Sequence, residues 1–417
     1  TNQGQGSVSV GYYSGNNNQG QYTVAVGYQA GQNTQGSGAI AIGYQAGLTT
    51  QHSNTIILNA SSTTSLNSAQ SDSLFINPIR NDTSNSIGNI LYYNSTTKEI
   101  VYTSAGAGQL PTGTNWADYL YWNNTTSKWV VGSANITLGQ NAGKSAQGSN
   151  SVAVGYNAGQ NTQGIESIAI GYNAGTITQG THSVAIGMQA GYYTQGSEAV
   201  AIGFNTAYMS QGSQSVSLGS YAGTYTQGIQ SVAVGYQSGN ILQGTNTVAV
   251  GYNSAQYTQG NYAISVGNQA GQNTQGQYAI AIGNNASLNY QAVGSTSGSS
   301  SIAIGNQSGQ NTQGINAIAI GYQAGQNTQG VNTISMGYQA GQNTQGTGSV
   351  SIGYQSGQNL QNPNAVAIGN LAGQTSQGNS SIAIGNSAGQ NLQSLNSIAI
   401  GNSAGQNSQG TNVVAIG

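Results

Sequence analysis

No cysteine occurs in this sequence, which excludes disulfide staples and thiolate metal sites, and only 2% of its 417 residues are charged. The four basic residues, Arg80, Lys98, Lys128 and Lys144, are too few and too scattered to neutralise a run of phosphates, so electrostatic binding of nucleic acid is excluded. No apolar run is long enough for a membrane-spanning helix or a secretory core segment. Histidine occurs only at His52 and His182, too far apart to share a metal or to build a triad with the scattered serines. The acids form no close pair in sequence, and Asp82 and Glu99 read as a solvated surface pair. Gly139-Gln140-Asn141-Ala142-Gly143-Lys144-Ser145 is one residue short of a phosphate-binding loop between its glycines and reads as an ordinary turn. These absences predict a chain that is not an enzyme and holds no cofactor or metal.

Glycine, by contrast, is abundant, with 65 copies, and its placement is periodic. It closes the same phrase at Gly11, Gly27 and Gly43, then every sixteen residues from Gly139 to Gly283 and again from Gly305 to Gly417. So polar a composition without a period would suggest disorder. A fixed period of this size instead predicts a solenoid, in which each repeat buries its inner face only against its neighbours.

Within the repeat, the residues three and one before the glycine are apolar, as in Val24 and Val26, Val232 and Val234, or Ile334 and Met336. Alternation with period two predicts a β-strand. The apolar pair is expected inside, forming a thin core with the alanine three after the glycine (Ala30, Ala158, Ala324). The small residue between the pair (Ala25, Ser217, Ser335) is expected on the outer face. The glycine and its successor make a corner, a second glycine four later makes another bend (Gly31, Gly159, Gly325), and Gln-Asn-Thr-Gln-Gly predicts a second short strand and turn. The expected fold class is all-β: a parallel β-solenoid, or β-roll, of 16-residue rungs, spaced about 4.8 Å apart along a rod on the order of 100 Å. So thin a roll is expected to gain burial by packing against sister chains.

Glutamine eight after the glycine is the most uniform position. It includes Gln163, Gln179, Gln195, Gln227, Gln329 and Gln345. We read it as a structural ladder of stacked amides, with a ligand-binding row as the alternative. The sequence leaves open whether this Gln or the residue before it faces inward. Tyrosine directly after the glycine recurs at Tyr156, Tyr172, Tyr236, Tyr252, Tyr322 and Tyr338, a candidate subunit interface or binding ladder.

The phase breaks once substantially. Asn59 stands where a glycine is due, and the phrase resumes at Ile136 to Gly139. The expected organisation is solenoid over 1–58, a non-repetitive β-rich insert over 59–134, and solenoid over 135–417 with a loop bulge at 292–300. Leu91 to Lys98 and Leu120 to Lys128 match one another and predict a hairpin twice over. The insert holds Trp116, Trp122 and Trp129, expected with its tyrosines to form a local core.

The phrase Ser-Ile-Ala-Ile-Gly-x-x-Ala, at Ser167 to Ala174 and Ser381 to Ala388, resembles the head repeats of YadA-like trimeric autotransporter adhesins, over about four-fifths of the chain. That resemblance implies a left-handed parallel β-roll, three chains side by side, and attachment to host or matrix surfaces. The rung here departs from it by the added Gln-Asn-Thr-Gln-Gly stretch. Leu74 to Arg80 and Leu91 to Ile100 in the insert resemble segments of fibre proteins of large DNA viruses and phage-type tail fibres. The combined expectation is a structural fibre of a virion or cell surface, extracellular, trimeric or bundled with itself, with no membrane insertion in this segment. Its alternative is a trimeric-autotransporter-type adhesin head that binds host glycans or proteins. Rows of threonine such as Thr162, Thr178 and Thr194 raise an ice-binding reading, which the Leu242, Tyr290, Leu360 and Leu392 at the same phase weaken. The chain starts at Thr1 and stops at Gly417 in mid-repeat, which suggests an internal stretch of a longer fibre or rods continuing end to end.

Overall fold

Four backbone corners in sixteen residues leave room for only short strands, and every regular rung folds accordingly. In the rung that follows strand Val152–Val154, positive φ angles fall at Gly155, Asn157, Gly159 and Glu166. Between the last two lies strand Thr162–Gln163, and Ile168–Ile170 opens the next rung. The computed structural model describes residues 2–79, 90–103, 110–132, 134–291 and 300–417, which fall into two compact units, Thr1–Gln109 and Leu110–Gly417. No helix occurs among the described residues.

In the second unit, successive rungs pair parallel and in register, Val152 with Ile168, Ala153 with Ala169 and Val154 with Ile170. The result is an 18-stranded parallel sheet from Ile136–Leu138 to Val414–Ile416. Opposite it, a 14-stranded sheet runs from Ala146–Gln147 to Leu360–Gln361, and single bridges extend it through Gln377, Gln393 and Gln409. The glycine that opens each corner is required twice over. Gly171 has φ +128°, and a Cβ added there would lie 2.6 Å from the carbonyl oxygen of Gly187 on the next rung. The bulge expected at 292–300 lies outside the described residues except for Ser300. On either side of it Ile280 pairs with Ile302, and Gln291 with Gln313.

The two faces of the strand are the reverse of the expectation. Ala153, Ala169, Ala185 and Ser217, the small residues between the apolar pair, are completely buried, whereas the Ile and Val on either side point outward and are half-buried or exposed. The core clusters of this unit consist of alanines, such as Ala158, Ala169, Ala174 and Ala185. Width is the physical reason. The interior between the sheets is filled by one methyl from the strand, one from the alanine three after the glycine, and the glutamine side chain that spans it. In these alanine rungs little room remains for a longer side chain, and Thr206 is the larger residue that takes the place of the alanine three after the glycine, completely buried.

The first unit repeats this plan. Strands Val8–Val10, Val24–Val26, Ile40–Gly43, Ile56–Asn59 and Leu74–Asn77 form a five-stranded parallel sheet. The sheet thus extends past residue 58. Ile57 pairs with Phe75, and these larger side chains take the inward position that alanine holds elsewhere, packed with Leu66 against Ala41 and Ala46.

Both expected hairpins are present. Ile90–Asn94 pairs antiparallel with Glu99–Thr103 in the first unit, and Tyr119–Asn123 with Lys128–Gly132 in the second. Arg80 and Asp82 lie outside the described residues. The tryptophans do not form a local core: Trp116 is 98% exposed, and Trp122 and Trp129 stack edge to face across their hairpin with about half of each side chain in solvent. A two-stranded ribbon has no second layer under which an indole could be buried. Tyr119 instead fastens its hairpin to the first rung of the unit, its hydroxyl donating to Asn135 O (2.6 Å) and accepting from Thr137 N (2.7 Å).

Candidate interaction surfaces

Inside the rung, the glutamine row is buried. Gln163, Gln179, Gln195, Gln227, Gln329 and Gln345 are each no more than 2% exposed. Each amide reaches across the interior to a strand of its own rung. Nε2 of Gln163 donates to Val152 O (2.8 Å), of Gln179 to Ile168 O (2.7 Å), of Gln195 to Val184 O (2.8 Å), of Gln227 to Val216 O (2.8 Å), of Gln329 to Ile318 O (2.7 Å) and of Gln345 to Ile334 O (2.8 Å). Most also donate to a carbonyl at the entry to the next strand, as Gln195 does to Ala199 O (3.3 Å). Amide-to-amide bonds along the stack occur in part of the row, continuously from Gln345 through Gln361, Gln377 and Gln393 to Gln409 and in shorter runs such as Gln243 to Gln259 to Gln275. Where serine replaces alanine in the strand it donates to the glutamine of its own rung, as Ser217 Oγ does to Gln227 Oε1 (2.7 Å). With alanine there, Oε1 of Gln163, Gln179 and Gln195 has no protein partner. The row is a cross-brace that solvent does not reach.

Outside, three kinds of row are available to a partner. The first comprises the outward apolar pairs, in which Leu218 is 42% exposed and Ile282 38%. Charge is nearly absent from it. The second is the tyrosine row directly after the glycine, where rings stack from rung to rung: Tyr156 on Tyr172 at 5.3 Å, Tyr236 on Tyr252 at 5.4 Å and Tyr322 on Tyr338 at 5.1 Å. It is not continuous, because Met188, Phe204 and Ser220 and then Asn268, Asn284 and Asn306 interrupt it.

A family model described as the YadA head domain repeat matches this chain in two copies, at residues 145–158 and 163–190. The rungs are similar to YadA head repeats. No curated protein and no solved structure matches the chain. The matched residues cover the strand phrases that end at Gly155, Gly171 and Gly187 and leave out both hairpins. This similarity supports an adhesin-type or fibre-like structural protein of a generally surface-exposed class.

The third row lies at the bend directly before each strand of the opposite sheet, six residues after the glycine. From Asn273 through Asn289, Asn311, Asn327 and Asn343 to Asn359 it is a chain of asparagine amides bonded rung to rung at 2.8–2.9 Å. Over six preceding rungs the same position holds Ile177, Tyr193, Met209, Tyr225, Ile241 and Tyr257. This patch escaped the sequence reading, although the replacement of Asn by aromatic and aliphatic residues at constant phase was visible. Tyr208 beside it has its phenol pKa raised, chiefly by burial and further by Tyr193 and Tyr192.

Proposed function

We propose that the chain is a stiff structural fibre or adhesin head, displayed on a cell or virion surface. It works as a homotrimer whose subunits meet through the outward Ile and Val rows. The observation that carries this reading is the apolar pair of every rung, which points away from the interior and stays half-exposed in a single chain. A stripe repeated over so many rungs far exceeds the apolar patch of a few hundred Å² that monomeric proteins ordinarily expose. Complete burial of such a side chain is worth roughly 1.5–3 kcal/mol, so finishing the half-complete burial of both side chains of a pair contributes on the order of 1.5–3 kcal/mol per rung. Identical chains carry identical rows, and a closed cyclic assembly brings row against row at every level. The similarity to YadA head repeats favours three chains. Tyr156, Tyr172, Tyr236, Tyr252, Tyr322 and Tyr338 flank the apolar stripe at its corner and form the edge of that interface.

The test is sedimentation of the intact chain beside the double variant Ile186→Glu, Ile202→Glu. The wild type is expected at about three times the chain mass of 42.1 kDa, and the variant, which breaks two rungs of the stripe, is expected to dissociate on dilution at a higher protein concentration than the wild type while keeping its β-sheet circular dichroism. A wild type that sediments as a monomer overturns the reading.

A further inference from the structure

We propose that the row from Ile177 to Tyr257 is a binding platform for an extended, neutral, β-1,4-linked glycan. The inference rests on the surface role proposed above and adds a site and a ligand class to it. Three observations lead to it.

Spacing is the first. Tyr193, Tyr225 and Tyr257 occupy the same position of every second rung, and their side chains are 41%, 52% and 44% exposed. Two rungs of a parallel stack span about 9.6 Å. An extended β-1,4-linked glycan turns each sugar over relative to the last, so it presents the same ring face once per disaccharide, a distance close to two rungs. A row of aromatic rings at that repeat can stack on alternate sugars without bending the ligand. The intervening Met209 and Ile241 offer apolar contact to the sugars between.

Preorganisation is the second. Backbone bonds fix the row at each step: Tyr193 N donates to Tyr208 O (3.0 Å), Met209 N to Thr224 O (2.8 Å), Tyr225 N to Asn240 O (2.9 Å) and Ile241 N to Gln256 O (3.0 Å). Tyr192 and Tyr208 brace the Tyr193 ring edge to face, at 4.7 and 5.4 Å. Little ordering is then left for binding to impose.

Charge is the third. At positions five, six and seven after the glycine, from Gln160 to Thr274, no charged residue occurs. An acidic or basic ligand would lose hydration here without meeting a counter-charge, whereas a neutral sugar needs only ring faces and hydroxyl partners. Thr178, Thr194, Thr226 and Thr258 stand beside the row with exposed side chains and supply those partners.

Calorimetric titration of the intact chain with cellohexaose and chitohexaose tests the proposal, with maltohexaose, whose α-linkages curve, as the geometric control. A β-1,4-linked hexaose is expected to bind, with cellobiose and maltohexaose weaker by at least about tenfold. Tyr225→Ala, at the middle ring, is expected to weaken binding about tenfold or more, and Tyr225→Phe to retain most of it. Tyr257→Ala gives a second loss should Tyr225→Ala fold poorly, and Tyr278→Ala, an exposed tyrosine outside this row and outside the tyrosine row of the interface, is expected to leave binding unchanged. Absence of binding by either β-1,4-linked hexaose, equal binding of maltohexaose, or indifference to both alanine variants overturns the proposal. A change in sedimentation on Tyr225→Ala without any glycan binding also overturns it and makes the row a subunit contact. Glycan binding by the Ile186→Glu, Ile202→Glu variant at a dilution where it sediments as a monomer supports a site within one chain even if the trimer reading fails.

Discussion

Gln179 has to be long enough to cross the rung and to donate twice without bringing a charge into the interior. Its amide bonds Ile168 O at 2.7 Å and Ser183 O at 3.5 Å. Asparagine is shorter by a methylene, and glutamate would leave both carbonyls facing an anion. Gln179→Ala strips a donor from buried backbone acceptors and is expected to cost about 1–3 kcal/mol, read as faster hydrogen exchange in the rungs around it. An unchanged exchange profile would mean that water enters and takes over the bonds. The opposite sign is expected for Ala169→Ser. Gln179 Oε1 lacks a partner, and the same strand position in the Ser217 rung places a hydroxyl 2.7 Å from Gln227 Oε1. The added bond is expected to stabilise by about 1 kcal/mol in chemical denaturation. A loss of stability instead would show that the alanine rungs are too tightly closed for the extra oxygen.

At the scale of an element, the strand phrase and the hairpins differ in how they are held. A three-residue strand such as Ile168–Ile170 owes its place to its neighbours on both sides, since so short a segment has no stability of its own. The hairpin Tyr119–Asn123 with Lys128–Gly132 has antiparallel pairing and a Trp122–Trp129 contact across it. Its anchor on the stack is the Tyr119 hydroxyl. Tyr119→Phe removes the bonds to Asn135 O and Thr137 N and is expected to cost about 1 kcal/mol, seen as faster exchange of the Thr137 amide with the rest of the unit unaffected. Protection of Thr137 that persists in the variant would show that strand pairing alone closes that end. The phrase of Leu120 to Lys128 made this hairpin legible in the sequence. The exposure of its tryptophans was not legible, because burial needs a covering layer that local pattern does not reveal.

For the whole molecule, parallel in-register stacking makes stability a sum of nearest-neighbour terms, so any contact between chains is multiplied by the number of rungs. Melting of the wild type is therefore expected to rise with protein concentration, by mass action on the proposed trimer, and melting of the Ile186→Glu, Ile202→Glu variant to fall below it at each concentration. Concentration-independent melting of the wild type, together with monomeric sedimentation, would remove the interface from the outward rows.

The sixteen-residue period by itself determined the solenoid, its parallel register and the corners. A glycine that must take a left-handed φ and lie against the next rung's carbonyl can recur only at one phase, as Gly171 and Gly187 do. It could not determine which face of the strand is inside. Alternation with period two is unchanged when the faces are exchanged, and apolar side chains are found on protein surfaces as well as in cores. Only the closed rung decided it: four corners in sixteen residues leave an interior that takes Ala169, Ala174 and the Gln179 amide, and Ile168 and Ile170 are left facing outward.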